Sequence, residues 1–125
     1  MLQQVLIAGA GGFAGSALRF LVVRFAGSVF RSSFAWGTLS VNLAGCFLFG
    51  LLAGLLEKSG IATENQSLLL LTGFCGGFTT FSAFSADILS MLDRGQIVQA
   101  AAYTAVSVFV GIALLWAGRG LLRFF

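Results

Sequence analysis

Residues 72 to 87, TGFCGGFTTFSAFSAD, break into apolar sequence with glycines, hydroxyl residues, phenylalanines and one carboxylate. Phe81 and Phe84 are three positions apart, so a helix places them on one face within about 60°. A phenyl ring is electropositive at its edge. Next to hydroxyl donors such as Ser82 and Ser85, two ring edges would replace part of the water shell of a small anion, and their bulk would narrow its path. The alternative for each ring is lipid or core.

Three further polar groups stand where hydrocarbon would punish them. Asn42 lies in GTLSVNLAGCFLFG with Thr38 one helical turn before it, which puts both on one face. A carboxamide at that depth needs protein or water around it, either as an interhelical hydrogen bond or as a donor lining an ion path. Tyr103 and Ser107, four apart, form a hydroxyl stripe that reaches Gly111 one turn on. Arg19, in GSALRFLVVRF, either snorkels to a headgroup or sits at the mouth of an aqueous vestibule. Asp87 has three open readings: an arginine's partner, a vestibule wall, or a cation ligand.

With no proline in the chain, a helix break must come from glycine and hydroxyl residues. Gly76-Gly77 followed by Thr79-Thr80 is the expected place, because glycine loses most backbone entropy in a helix and Thr bonds locally instead. Unwound backbone at membrane depth is tolerated only within protein or along a cavity, and its free carbonyls suit a cation such as Na⁺. A kinked but continuous helix is the alternative.

Other chemistries are excluded. The chain has no histidine, so no imidazole acts as base, relay or ligand, and no nucleophile has a base; an enzyme is not expected. Cys46 and Cys75 are not spaced as a metal pair. Gly9, Gly11 and Ala14 mimic a dinucleotide fingerprint, but the first acid is Glu57 and no βαβ unit surrounds it. A net charge of +3 is too small to define a partner, and no nucleic acid is expected.

The elements that must position these residues are membrane helices. The 125 residues are 58% hydrophobic and 9% charged, with mean hydropathy +1.01, whereas a soluble domain carries about a quarter charged residues. The start, Met1-Leu2-Gln3-Gln4, lacks the positive region of a cleavable signal. A span needs about 20 mostly apolar residues, and residues 5–26, 34–56, 68–92 and 97–122 qualify as one four-span domain. Thr63 and Gln66 have capping-box spacing, which starts the third helix near Glu64. Gly11 and Gly15, Gly50 and Gly54, and Gly73 and Gly77 stand four apart, the spacing that lets helix backbones approach in lipid.

With four spans, both termini lie on one side. Lys58, Arg119 and Arg123 on that side balance Arg24, Arg31 and Arg94 on the other, so Lys and Arg set no preferred orientation. A chain without a bias can insert both ways and pair antiparallel with its own copy.

Together these residues carry a pattern: GGFAGSALRF, GTLSVNLAG and TGFCGGFTTFSAFSAD. The chain resembles the Fluc (CrcB) family of fluoride channels over nearly its whole length. The resemblance implies an all-α membrane protein whose third helix is broken near its middle. It also implies an antiparallel dual-topology homodimer in the bacterial inner membrane, with two narrow pores that conduct fluoride passively out of the cytoplasm. It assigns Phe81 and Phe84 to the pore-lining aromatic pair and Asn42 to the amide donor. Ser82 and Thr38 join them, Tyr103 and Ser107 form a polar track, and Arg19 sits at a vestibule. A structural Na⁺ at the dimer centre would be held by the backbone carbonyls of Gly76 and Thr79. Gly111 departs from a track extended by a further hydroxyl.

Two rival classes remain. A small dual-topology, proton-coupled exporter of cationic compounds would use a carboxylate in the first span, which here holds Arg19 and no acid. A structural membrane subunit would leave Asn42 and the broken helix without a purpose.

Overall fold

The computed structural model describes residues 1–30 and 34–124. Arg31, one of the charges in the orientation balance, lies outside the described residues. Four helices are long and apolar enough to cross a membrane: Leu2–Val29, Trp36–Ser59, Glu64–Asp93 and Ile97–Phe124. They contain three of the expected spans, and the second helix begins at Trp36, two residues after the expected start at Phe34. We label Leu2–Val29 α1 and Trp36–Ser59 α2. The third span has two parts, α3 (64–78) and α4 (Phe81–Asp93), and Ile97–Phe124 is α5.

Local sequence sets the ends. Gly60 closes α2 in the left-handed conformation, at φ 66°, which glycine adopts without steric cost. Thr63 opens α3 with the anticipated capping box: its hydroxyl accepts from Gln66 N at 3.2 Å, and Gln66 Oε1 accepts from Thr63 N at 3.1 Å. Residues Leu68–Cys75 of α3 and Val106–Val110 of α5 wind as π-helix, a wider turn that is frequent at functional sites.

Glycine brings the helices together in two pairs, α1 on α3 and α2 on α5. A methyl group on Gly77 would lie 2.9 Å from the Gly12 Cα, and one on Gly54 would lie 2.8 Å from the Arg119 carbonyl oxygen. Methyl groups on Gly11, Gly15 and Gly50 would overlap the backbone oxygens of Leu69, Phe74 and Leu115. The four-residue glycine spacing is therefore used for backbone contact, as dispersion-driven packing in lipid requires.

The departure from helix in the third span is confined to two residues. Thr79 (φ −85°, ψ 157°) and Thr80 (φ −151°, ψ 124°) are extended, while Gly76 and Gly77 stay helical. The expected site was the glycine pair; the backbone instead leaves the helix at the threonines, where side chains replace the lost bonds. Thr79 Oγ1 donates to Cys75 O at 2.9 Å. Thr80 Oγ1 accepts from Ala83 N at 3.2 Å and so caps the N-terminus of α4.

The buried core lies beyond this point, where Leu39, Met91, Ala100 and Tyr103 pack with Phe34, Leu43, Phe84 and Ile88.

Candidate ion-binding site

Asn42 reaches the break from the second turn of α2. Its Oδ1 accepts from Thr80 N at 3.0 Å and its Nδ2 donates to Thr80 O at 3.2 Å. Both sequence readings of Asn42 had left its partner open. The amide replaces the helix for one residue, and its second N–H is not needed for that pairing.

Gly77 O, whose helical donor is lost at the break, accepts from Arg19 Nε at 3.2 Å and from Ser16 Oγ at 3.4 Å. A guanidinium at a helix C-terminus is favourable by charge as well as by hydrogen bonding. Arg19 is therefore neither free nor simply snorkelling: it holds the end of α3. Arg19 also lines a concavity of about 250 Å³ with Ser16, Thr38, Thr80 and Ala83. Thr38 is buried, with 8% of its surface exposed.

On the other side of Thr80, a second concavity of about 260 Å³ is lined by Asn42, Thr79, Thr80, Phe81, Phe84 and Ser107. The Phe81 and Phe84 rings stand 5.9 Å apart at 42°, and Phe81 is 79% exposed on the chain. Ser107 Oγ is buried and has no hydrogen-bond partner among the described residues. Thr80 and its lock to Asn42 thus form the partition between an arginine-bearing hollow and an aromatic one. Ser82 is exposed and its Oγ lies 3.2 Å from Thr80 Oγ1.

Tyr103 and Ser107 have different surroundings. Tyr103 is fully buried, donates its hydroxyl to Asp87 Oδ2 at 3.0 Å, and stacks on Phe84 at 5.2 Å and 29°. Ser107 falls in the π-helical stretch that begins at Val106 and lines the aromatic hollow directly, whereas Tyr103 stands behind Phe84. At Gly111 a methyl would meet Cys46 Sγ at 3.3 Å, so the missing hydroxyl there is a packing contact between α5 and α2.

Besides Gly77 O, the Gly76 and Thr79 carbonyls lose their helical donors at the break. Thr80 N–H, the donor to Gly76 O in a continuous helix, is turned to Asn42. Ala83 N–H, the donor to Thr79 O, is taken by Thr80 Oγ1. Neutral carbonyl oxygens freed in this way are the donor set that a hard monovalent cation accepts, so Gly76 and Thr79 fit the cation reading of the break.

Residues 6–119 match the family model described as CrcB-like protein, Camphor Resistance (CrcB). The chain belongs to the CrcB family. Among CrcB relatives, a protein of Rhizobium johnstonii is 46% identical over 98% of each chain. One of Pseudomonas putida is 41% identical over 99% of this chain and 100% of its own. One of Chlorobium phaeobacteroides is 44% identical over 95% of this chain and 92% of its own. Each of the three is named fluoride-specific ion channel FluC.

Sequence reasoning did not find Ser16 or the partition role of Thr80. The signals were present: Ser16 precedes Arg19 by three positions on α1, the distance of one helix face, and Thr80 precedes Ala83 at N-cap spacing.

Proposed function

We propose that this chain is a fluoride channel of a bacterial plasma membrane, conducting passively from the cytoplasm. The observation that carries the reading is the hollow at Thr80, where the Phe81–Phe84 pair, the Asn42 amide and the unpartnered Ser107 hydroxyl meet. The names of the relatives support it.

Fluoride is small and strongly hydrated, so it sheds water only where hydrogen-bond donors replace it. Amide, hydroxyl and ring-edge donors in a close-walled path supply that. Chloride is larger and gains less from them. Arg19 and Thr38 would gather the anion on one side of Thr80, and Ser107 and the rings would receive it on the other. A short rotation of the Ser82 or Thr80 hydroxyl would bridge the two.

The working unit in this reading is two antiparallel copies with a pore on each. Phe81 is largely exposed on one chain, and a second copy would complete the wall it leaves open. The Lys and Arg count supports dual insertion, with Lys58, Arg119 and Arg123 at one end matched by Arg24, Arg31 and Arg94 at the other. The Gly76 and Thr79 carbonyls from both copies would hold a structural Na⁺, which would offset the oxygen dipoles left by the break.

The test is purified protein in liposomes, with fluoride and chloride release followed by electrodes. Rapid fluoride release with little chloride release is expected. Release that requires a proton gradient would instead favour a coupled transporter.

A further inference from the structure

Asp87 takes no part in the hollows or the break, yet it is a carboxylate within a membrane span, a position that carries a role by default. It lies three residues after Phe84 on α4, so both side chains leave the same helix face. Tyr103 crosses from α5 and meets both: its ring stacks on Phe84 and its hydroxyl bonds to Asp87. Phe34 closes a third side of the tyrosine, edge-on at 5.6 Å and 87°.

A phenol has one O–H donor, and that of Tyr103 is committed to Asp87. In this arrangement it has no hydrogen for a passing anion. What it offers the pore is the flat surface against which Phe84 rests. An unanchored tyrosine would leave Phe84 several rotamers, whereas a ring fixed at both ends leaves it one.

We propose that Asp87 is a positioning residue for the pore: it anchors Tyr103, and Tyr103 fixes the ring of Phe84. The proposal rests on the reading of Phe84 as a pore residue. The carboxylate acts through geometry here, so an amide oxygen that accepts the same hydrogen bond should do nearly as well.

The test uses Asp87→Asn, Asp87→Ala, Tyr103→Phe and the double variant Asp87→Ala/Tyr103→Phe in liposomes. Asp87→Asn should keep fluoride release close to that of the unaltered protein. Asp87→Ala and Tyr103→Phe should each slow it about tenfold, the scale of one charge-assisted hydrogen bond, and lower the preference for fluoride over chloride. The double variant should be no worse than either single one. Unaltered release in Asp87→Ala, or a loss in Asp87→Asn equal to that in Asp87→Ala, would overturn the proposal.

A second readout does not depend on transport. With 4-fluorophenylalanine at position 84, ¹⁹F NMR should give one line in the unaltered protein and in Asp87→Asn, and a shifted or broadened line in Asp87→Ala. An unchanged line in Asp87→Ala also overturns the anchor. If the unaltered protein releases no fluoride while the line behaves as expected, the anchor stands and the channel reading fails.

Discussion

Asn42 and Thr80 exchange two hydrogen bonds, 3.0 Å from the peptide N–H to the amide oxygen and 3.2 Å from the amide nitrogen to the peptide oxygen. One side chain thereby gives an extended residue what a helix would have given it. Replacing Asn42 with Leu leaves both peptide groups without partners at membrane depth. Asn42→Leu should lower thermal stability in detergent, at about 1–3 kcal/mol for each unsatisfied group, and suppress fluoride release. Asn42→Asp keeps the acceptor but loses the donor and adds an anion to an anion path. It should be milder than Asn42→Leu in stability and equally severe in flux.

Phe81→Ile and Phe84→Ile should both slow fluoride release strongly. Only Phe84 stacks on the buried Tyr103. Phe84→Ile loses the pairs to Tyr103 and Phe81 and should therefore lower stability more than Phe81→Ile, which loses one, by the scale of an aromatic pair, about 0.5–1.5 kcal/mol. Light scattering should report the same assembly size for both. Unaltered release in both variants would remove the ring-edge argument.

Ser107 separates function from stability. Its buried hydroxyl bonds to nothing among the described residues, so Ser107→Ala removes no protein hydrogen bond. Stability should hold or rise slightly, since a buried orphan group is costly. Fluoride release should fall about tenfold if that hydroxyl donates to the ion, given the strength of a hydrogen bond to a charged group. A variant with full release would take Ser107 out of the path.

Glycines divide by neighbour rather than by motif. A methyl group at Gly9 meets nothing within 4 Å, whereas at Gly77 it lies 2.9 Å from the Gly12 Cα. Gly9→Ala should be neutral or stabilising by less than about 1 kcal/mol, the helix-propensity difference. Gly77→Ala should force α1 and α3 apart and sharply reduce the yield of folded protein, read by fluorescence-detected gel filtration.

If carbonyls at the break hold Na⁺, exchanging all Na⁺ for N-methyl-D-glucamine should lower the unfolding midpoint and slow fluoride release, and added Na⁺ should restore both. Insensitivity of both to Na⁺ would argue against Gly76 and Thr79 as ligands.

The spans and the start of α3 were legible from sequence, since long apolar stretches and the Thr63–Gln66 box act locally. The glycine contacts were legible as spacing, because spacing fixes which backbones meet. The exact residues of the break were not. Glycine permits unwinding, but the choice of Thr79 and Thr80 depends on partners from α1 and α2 that no local pattern reveals. The different surroundings of Tyr103 and Ser107 were hidden for a related reason: they depend on Phe84 and Asp87 of α4, which no pattern within α5 reveals. Asp87 was visible as an acid in a span, yet its partner lay across the hairpin.

The break in the third span is gripped from two directions, by Ser16 and Arg19 on α1 and by Asn42 on α2. The turn at Thr79–Thr80 is therefore satisfied only where both neighbours lie alongside, so its unwound shape and the docking of the first three crossings stand or fall together.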